Sequence, residues 1–359
     1  MNGMPPQIAK NKKESNAVNQ LWYTRCPVPT ATSIAVTRGD LDREFAIDDI
    51  TIDSLRASTE REVRESHFDH TQLNSFRQGG NIPPIWSRSK GADTVVVGLT
   101  WVNEYQAIIS LPSSGIRTVK DLRGRRLGLP VRRNDQIDFF RAMCLRGYVN
   151  ALRVEAMTLP DVELIELSVE ERYIGEEEKS HSGSLWAGGS RARRQQVDIF
   201  ALIRGEVDAI YTSGAQGANA AAFLGAHEII EMGFHPDPEL RAGNEGPATL
   251  TVSGALSRER PDLVARYIKT LNSSADWAQK HHYEASQIIA ADVSAPLEWV
   301  EPGYKNDFAK KLSVDLSDAN IEALLNQKQF LLEYGFIDKD FDLEPWIDSH
   351  PMELASKNI

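Results

Sequence analysis

Between Asp93 and Leu256 the chain alternates short apolar runs with segments whose apolar residues recur every three or four positions. This alternation restricts the fold more than any other feature. DTVVVGLTW (Asp93 to Trp101), RRLGLP after Gly124, VELIELSV (Val162 to Val169), HEIIEMG (His227 to Gly233) and ATLTVSGAL (Ala248 to Leu256) read as strands, several of them apolar enough to be buried on both faces. Ile137, Phe140, Met143, Cys144 and Tyr148 form a helical stripe facing a core. Pro261 opens a long helix, as a proline in the first helical turn does. Strands and helices that alternate in this way predict an α/β fold.

A new strand–helix unit begins after Gly115, and HPDPELRAGNEGP (residues 235–247) has the Pro/Gly composition of a hinge. The expected organisation is a disordered leader over residues 1–19, a discontinuous domain I over 20–114 and 242–359, and a domain II over 115–241. A chain that leaves one domain, builds a second and returns makes two lobes with a cleft, and small ligands bind in such crevices at strand carboxyl ends. Residues 170–196 are rich in charge, Gly and Ser with Trp186 isolated among them, which predicts a long loop acting as a lid over the cleft.

Composition narrows the partners. Asp and Glu number 51 against 40 Lys and Arg, for a net charge of −11, so the average field repels polyanions and nucleic-acid binding is not expected. No apolar run reaches the roughly 18–20 residues that would cross a bilayer. The first twenty residues are polar where a secretory signal is apolar, which predicts a cytoplasmic protein. Cys26 and Cys144 stand far apart with no zinc-ligand spacing, so neither a metal site nor a disulfide framework is indicated. The local signatures GxxxxGK[ST], GxSxG and HExxH are missing as well. No metal or cofactor is expected, and a monomer acting on a small molecule is the simplest expectation.

Two clusters carry chemical potential. In Tyr23-Thr24-Arg25-Cys26-Pro27-Val28-Pro29 two prolines fix the backbone after the thiol, and Pro27 biases Cys26 away from helical conformation. Cys26 is then either a small buried hydrophobe or a reactive thiol beside Arg25. Cys144, on the helical stripe, reads as core. The second cluster is Ser66-His67-Phe68-Asp69-His70, followed by Arg77-Gln78-Gly79-Gly80-Asn81-Ile82-Pro83-Pro84. His67 and His70 suit hydrogen bonding or proton transfer. Arg77 before a glycine pair offers a guanidinium fork beside approachable backbone N–H groups, a combination suited to an oxyanion; an ordinary turn with a solvated arginine is the alternative.

The series Cys26-Pro-Val-Pro, His67-Phe68 and Arg77-x-Gly79-Gly80-x-Ile-Pro-Pro resembles the bacterial hydroxybiphenyl sulfinate desulfinase family. The similarity continues through DLRGRRLG, RGEVDAIY and QKQFLLEYGFI (Gln327 to Ile337). The resemblance implies a two-lobed type II periplasmic-binding-protein fold with a catalytic Cys26, a modulating His67 and Arg77 as sulfinate anchor. It also implies substrate contacts from Gly79, the Gly80 N–H, Phe68 and Trp186, with the organosulfinate as small-molecule partner. Arg25 and His70 stand where that family has a neutral amide and an aromatic, which predicts a more polar substrate pocket here. Cys26 would act on the sulfinate either as a nucleophile at sulfur or as a proton donor to carbon. The competing expectation is a non-catalytic solute-binding protein for a sulfonate or nitrate, which shares the fold.

Overall fold

The computed structural model describes residues 18–174 and 196–357. Its strands are β1 (Gln20–Arg25), β2 (Thr51–Ser54), β3 (Ser75–Gly79), β4 (Thr94–Thr100), β5 (Gln106–Ser110), β6 (Arg126–Val131), β7 (Glu163–Ser168), β8 (Ile210–Ser213), β9 (His227–Glu231) and β10 (Ala248–Ser253). The expected leader, apart from its last two residues, and Trp186 with most of its loop lie outside the described residues.

β2-β1-β3-β10-β4 form one five-stranded sheet, parallel through its first three strands, with β10 antiparallel to both neighbours. The second sheet is built the same way. β8-β5-β9 are hydrogen-bonded with β5 antiparallel to both, β6 pairs in parallel with β7, and a parallel bridge from Leu127 to Ala209 joins β6 to the start of β8. The order β7-β6-β8-β5-β9 thus repeats that of the first sheet. Mixed sheets covered by helices make this the two-lobed α/β architecture expected from the strand–helix alternation.

Local sequence explains the elements. The helix Ala31–Arg38 starts at Thr30, whose side chain accepts from the Ser33 N–H, and stops at Gly39, whose φ of 70° favours glycine. The stripe read from Ile137 to Tyr148 is the helix Phe139–Arg153, with Cys144 1% exposed. The helix predicted at Pro261 runs to Lys280 and buries Leu263, Tyr267 and Leu271 against the first sheet's core.

β5 precedes Gly115 yet pairs only within the second sheet. Its five residues are all buried, so it is an interior strand of that lobe rather than the end of the first. We propose that the chain crosses to lobe II between Thr100 and Gln106 and returns with β10, instead of at Gly115 and after Arg241. The Pro/Gly segment before β10 is held from both sides. Asn81 Nδ2 donates to Gly243 O (2.8 Å) and Pro247 O (3.0 Å), and Asn150 Nδ2 donates to Leu240 O and Ala242 O (both 3.2 Å).

Candidate active site

Side chains alternate across a strand, and two parallel neighbours in register present matched faces. Thr24 pairs with Arg77 in the β1–β3 register, so Thr24 and Cys26 share a face with Arg77 and Gly79. Cys26 follows the last residue of β1, at the carboxyl end of the strand. Its N–H donates to Gln78 O (3.0 Å), and the Val28 N–H turns back to Cys26 O (2.9 Å) across Pro27. Gly79 has φ 150°, and a Cβ there would lie 2.4 Å from Cys26 Sγ. The sulfur therefore rests on bare backbone that no other residue type could supply. A Cβ on Gly80 would lie 2.2 Å from Asn244 Nδ2, so this glycine admits the return segment instead.

Arg77 is 2% exposed and braced at three points. Nε donates to His67 O (2.9 Å), Nη1 to Gly80 O (2.8 Å) and Nη2 to Cys26 Sγ (3.3 Å). One N–H on each terminal nitrogen is left for a ligand, the fork that grips a two-oxygen anion. His67, in the helix Arg61–Asp69, places Nε2 3.7 Å from Cys26 Sγ and Nδ1 2.9 Å from Thr24 Oγ1. Burial, then the nearby Arg77 charge, hold its pKa well below the ordinary histidine value, so the ring is neutral at pH 7. A neutral ring carries one proton. Either Nδ1–H donates to Thr24 and Nε2 accepts from the thiol, or the Thr24 hydroxyl donates to Nδ1 and Nε2–H faces sulfur.

Cys26, His67 and Arg77 thus meet at one sulfur atom, although 51 positions separate the outer two. Phe68 lines the same cavity and stacks on Phe139 (centroids 5.9 Å apart), which stacks on Tyr173 (4.5 Å). These rings form an aromatic wall with residues from both lobes. Glu104, Ser213, Asn244 and Glu245 add polar groups to the lining, and the free volume is about 30 Å³, room for a water or two. A larger surface concavity of about 810 Å³ beside Arg38 and Arg266 lies away from Cys26, with Arg266 paired to Glu44 and Asp48.

Four of the described residues expected to contact substrate are not among those lining the cavity: Gly79 and Gly80, whose backbone seats the sulfur and admits the return segment, and Arg25 and His70. Arg25 falls on the opposite face of β1 from Thr24 and Cys26; its guanidinium pairs with buried Asp292, whose other oxygen accepts from Ser33 Oγ (2.6 Å). Strand alternation separates it from the thiol despite adjacency in sequence. His70 caps its helix at φ 58° with Nδ1 3.1 Å from Phe68 O. Burial followed by the Arg77 charge lowers its pKa to about 3. It lies behind the site, where a cationic ring would oppose Arg77. Neither Arg25 nor His70 therefore makes the cavity more polar; its charged groups besides Arg77 are Glu104 and Glu245, which the sequence reading missed. Phe139, Tyr173 and Thr24 were also missed; only their placement in space marks them.

The fold and site define a class: two lobes flanking a cleft that holds a buried guanidinium, imidazole and thiol. Residues 83–169 match the family model described as "NMT1/THI5 like". Along 95% of its length the chain is 26% identical to the 2'-hydroxybiphenyl-2-sulfinate desulfinase of Rhodococcus erythropolis, covering 94% of that protein. It superposes on the desulfurization enzyme DSZB with a TM-score of 0.74 and 24% identity, covering 94% of this chain and 98% of the other. The periplasmic aliphatic sulphonate binding protein SsuA of Escherichia coli gives a TM-score of 0.66 at 14% identity, with 92% of each chain covered. The chain is therefore similar, from end to end, to sulfinate desulfinases built on the periplasmic-binding-protein-like fold. Among the described residues no helix is long and apolar enough to cross a membrane.

Proposed function

We propose that this protein is a cysteine-dependent desulfinase that cleaves the carbon–sulfur bond of an organic sulfinate and releases sulfite. The observation that carries the reading is the convergence of His67 Nε2 and Arg77 Nη2 on Cys26 Sγ. An anion-binding protein needs the arginine fork but has no use for a thiol held between a guanidinium and an imidazole. Similarity to a named desulfinase over nearly the whole chain supports the same reading. The aromatic wall of Phe68, Phe139 and Tyr173 favours an aryl group, and biphenyl-2-sulfinic acid is the ligand in a DSZB complex that shares this fold.

In this reading the two sulfinate oxygens take the open N–H groups of Arg77. With the sulfinate bound and His67 uncharged, a thiolate would set two anions against one cation, so the thiol acts as proton donor. The S–H proton adds to the carbon bearing sulfur, the carbon–sulfur bond breaks with its electron pair staying on carbon, and sulfur leaves as SO2. Water then adds to give hydrogen sulfite and returns one proton to the thiolate, which Arg77 Nη2 stabilises meanwhile. The sum is sulfinate plus water giving arene plus hydrogen sulfite, with no change that requires an external oxidant or reductant.

A panel of aryl and alkyl sulfinates, assayed for sulfite, tests the proposal. Release of sulfite with appearance of the desulfinated hydrocarbon is expected. Tight binding of sulfinates without sulfite would overturn it and leave the solute-binding reading.

A further inference from the structure

Loss of SO2 leaves the site with acid–base work still to do. Water must give up a proton as it adds to sulfur, and the Cys26 thiolate must regain one, inside a recess of about 30 Å³. Few of the described residues that line the recess can move that proton. Arg77 carries donors only. His67 has both ring nitrogens engaged, Nδ1 with Thr24 Oγ1 (2.9 Å) and Nε2 facing Cys26 Sγ (3.7 Å). Tyr173 and Ser213 contribute hydroxyls and Asn244 an amide, none of which takes up a proton at neutral pH. The side chains of Glu104 and Glu245 remain.

The two carboxylates are anchored differently. A Cβ on Gly214 would lie 3.4 Å from Glu104 Oε2 and 3.1 Å from the Tyr304 hydroxyl, so Glu104 is turned toward the start of the helix Gly214–Phe223. Glu245 is tied to the seat of the thiol. Gly79 underlies Cys26 Sγ, and the adjoining Gly80 both admits Asn244 and braces Arg77 Nη1 through its carbonyl (2.8 Å). Asn244 Oδ1 accepts the Ile82 N–H (3.0 Å), and its Nδ2 donates to Glu245 Oε1 (2.7 Å). The segment that positions sulfur and guanidinium thereby also orients this carboxylate.

We propose that Glu245 is the base of the second half-reaction, taking a proton from the water that adds to SO2 and passing it to the Cys26 thiolate. This rests on the sulfinate reading of the site and deepens it. The water oxygen bonds to sulfur as its O–H proton passes to the carboxylate, giving hydrogen sulfite and a carboxylic acid. The acid then protonates the thiolate, which restores the S–H and the carboxylate with nothing oxidised or reduced. This last transfer runs from the stronger acid to the weaker.

The test separates the half-reactions with biphenyl-2-sulfinate. Arene formed in one turnover under excess enzyme needs only the Cys26 proton, whereas kcat also needs the thiol reloaded. In Glu245→Gln the first-turnover rate is expected to stay within about twofold of the wild type while kcat falls by roughly tenfold or more. An unchanged kcat would overturn the proposal. So would a first turnover slowed as much as kcat, the mark of a structural role, or the split appearing in Glu104→Gln and not in Glu245→Gln. If the wild type forms no arene from any sulfinate, the desulfinase reading falls and this one with it. Should Glu245→Gln not fold, Glu245→Ala assayed with and without formate carries the comparison. Formate is expected to raise kcat and leave the first turnover as it was, and no response to formate overturns the proposal.

Discussion

The two sheets have the same strand order, so the ends of their strands can be matched. After β1 in the first sheet stands Cys26; after β6, its counterpart in the second, stands Arg132. Both are buried, yet they are put to different uses. Cys26 faces the cavity with its sulfur on Gly79. Arg132 turns beneath Tyr173, its guanidinium 4.3 Å from the ring centroid, and donates to Glu171 O (3.0 Å). Lobe I places reactive groups at the carboxyl ends of its strands, whereas lobe II uses the equivalent position to brace the aromatic wall. The difference teaches that one architecture can be specialised half by half: in the proposed reading, chemistry is concentrated in lobe I and lobe II supplies fit.

Substitutions at the thiol and its seat in lobe I should then strike turnover, whereas those at the anion anchor Arg77 and in lobe II should strike substrate affinity. The largest effect is expected from Cys26→Ser, which removes the proton donor and should lower kcat by roughly 10²–10⁴-fold or more, while calorimetry still detects sulfinate binding. Retained sulfite release at the wild-type rate would remove the basis for assigning chemistry to lobe I. Gly79→Ala comes next. A methyl group directed at sulfur from a φ of 150° must displace Cys26, and a misplacement of that order costs roughly 10²-fold in kcat.

Arg77→Lys keeps the charge but loses the fork, so KM is expected to rise by roughly tenfold with a smaller change in kcat. His67→Gln should show a partial loss, smaller than that of Cys26→Ser. In lobe II, Arg132→Leu withdraws the cation from Tyr173 and should raise KM several-fold, in line with about 0.5–2 kcal/mol for such a contact, with kcat unchanged. A large kcat effect there would blur the division between lobes.

The smallest expected signal concerns pH. His67 and His70 both have folded-state pKa values below the ordinary 6.5. The folded protein therefore binds fewer protons than the unfolded chain in the acidic range. Their contribution to stability is complete above about pH 6.5 and is lost as pH falls from there toward the folded values, near 3 for His70. Denaturant midpoints should decline across that window, and less steeply in His70→Asn. Because His67 stays neutral, kcat/KM should show no break near pH 6.5.

The convergence of Cys26, His67 and Arg77 was legible in the sequence, because the chemistry proposed for them needs residue types with few substitutes. A thiol before Pro27, a guanidinium before two glycines and a histidine between them limit the readings severely. Arg25 shows where linear reading fails: next to Cys26 in the chain, it is placed across the sheet by a period of two. The Phe140 and Met143 stripe was assigned to the core correctly as burial, but the pattern that buries a side chain against a core also buries it against a ligand cavity. Tyr173 and Glu245 carry no periodic signal, since both lie on connections whose course is set by tertiary contacts. The pairing of β5 with β8 and β9 was missed for a similar reason: a strand buried on both faces reads alike in either sheet.

The confined space at Cys26 has a consequence for the lifetime of the protein in an oxidising or electrophilic setting. A cysteine capable of chemistry is ordinarily exposed to peroxides and alkylating agents, but a recess of about 30 Å³ walled by Phe68, Phe139 and Tyr173 leaves no room for a reagent larger than a water or two. Inactivation by iodoacetamide should therefore proceed only as fast as the walls part. The decay of activity becomes a clock for that opening, and a bound sulfinate should slow it.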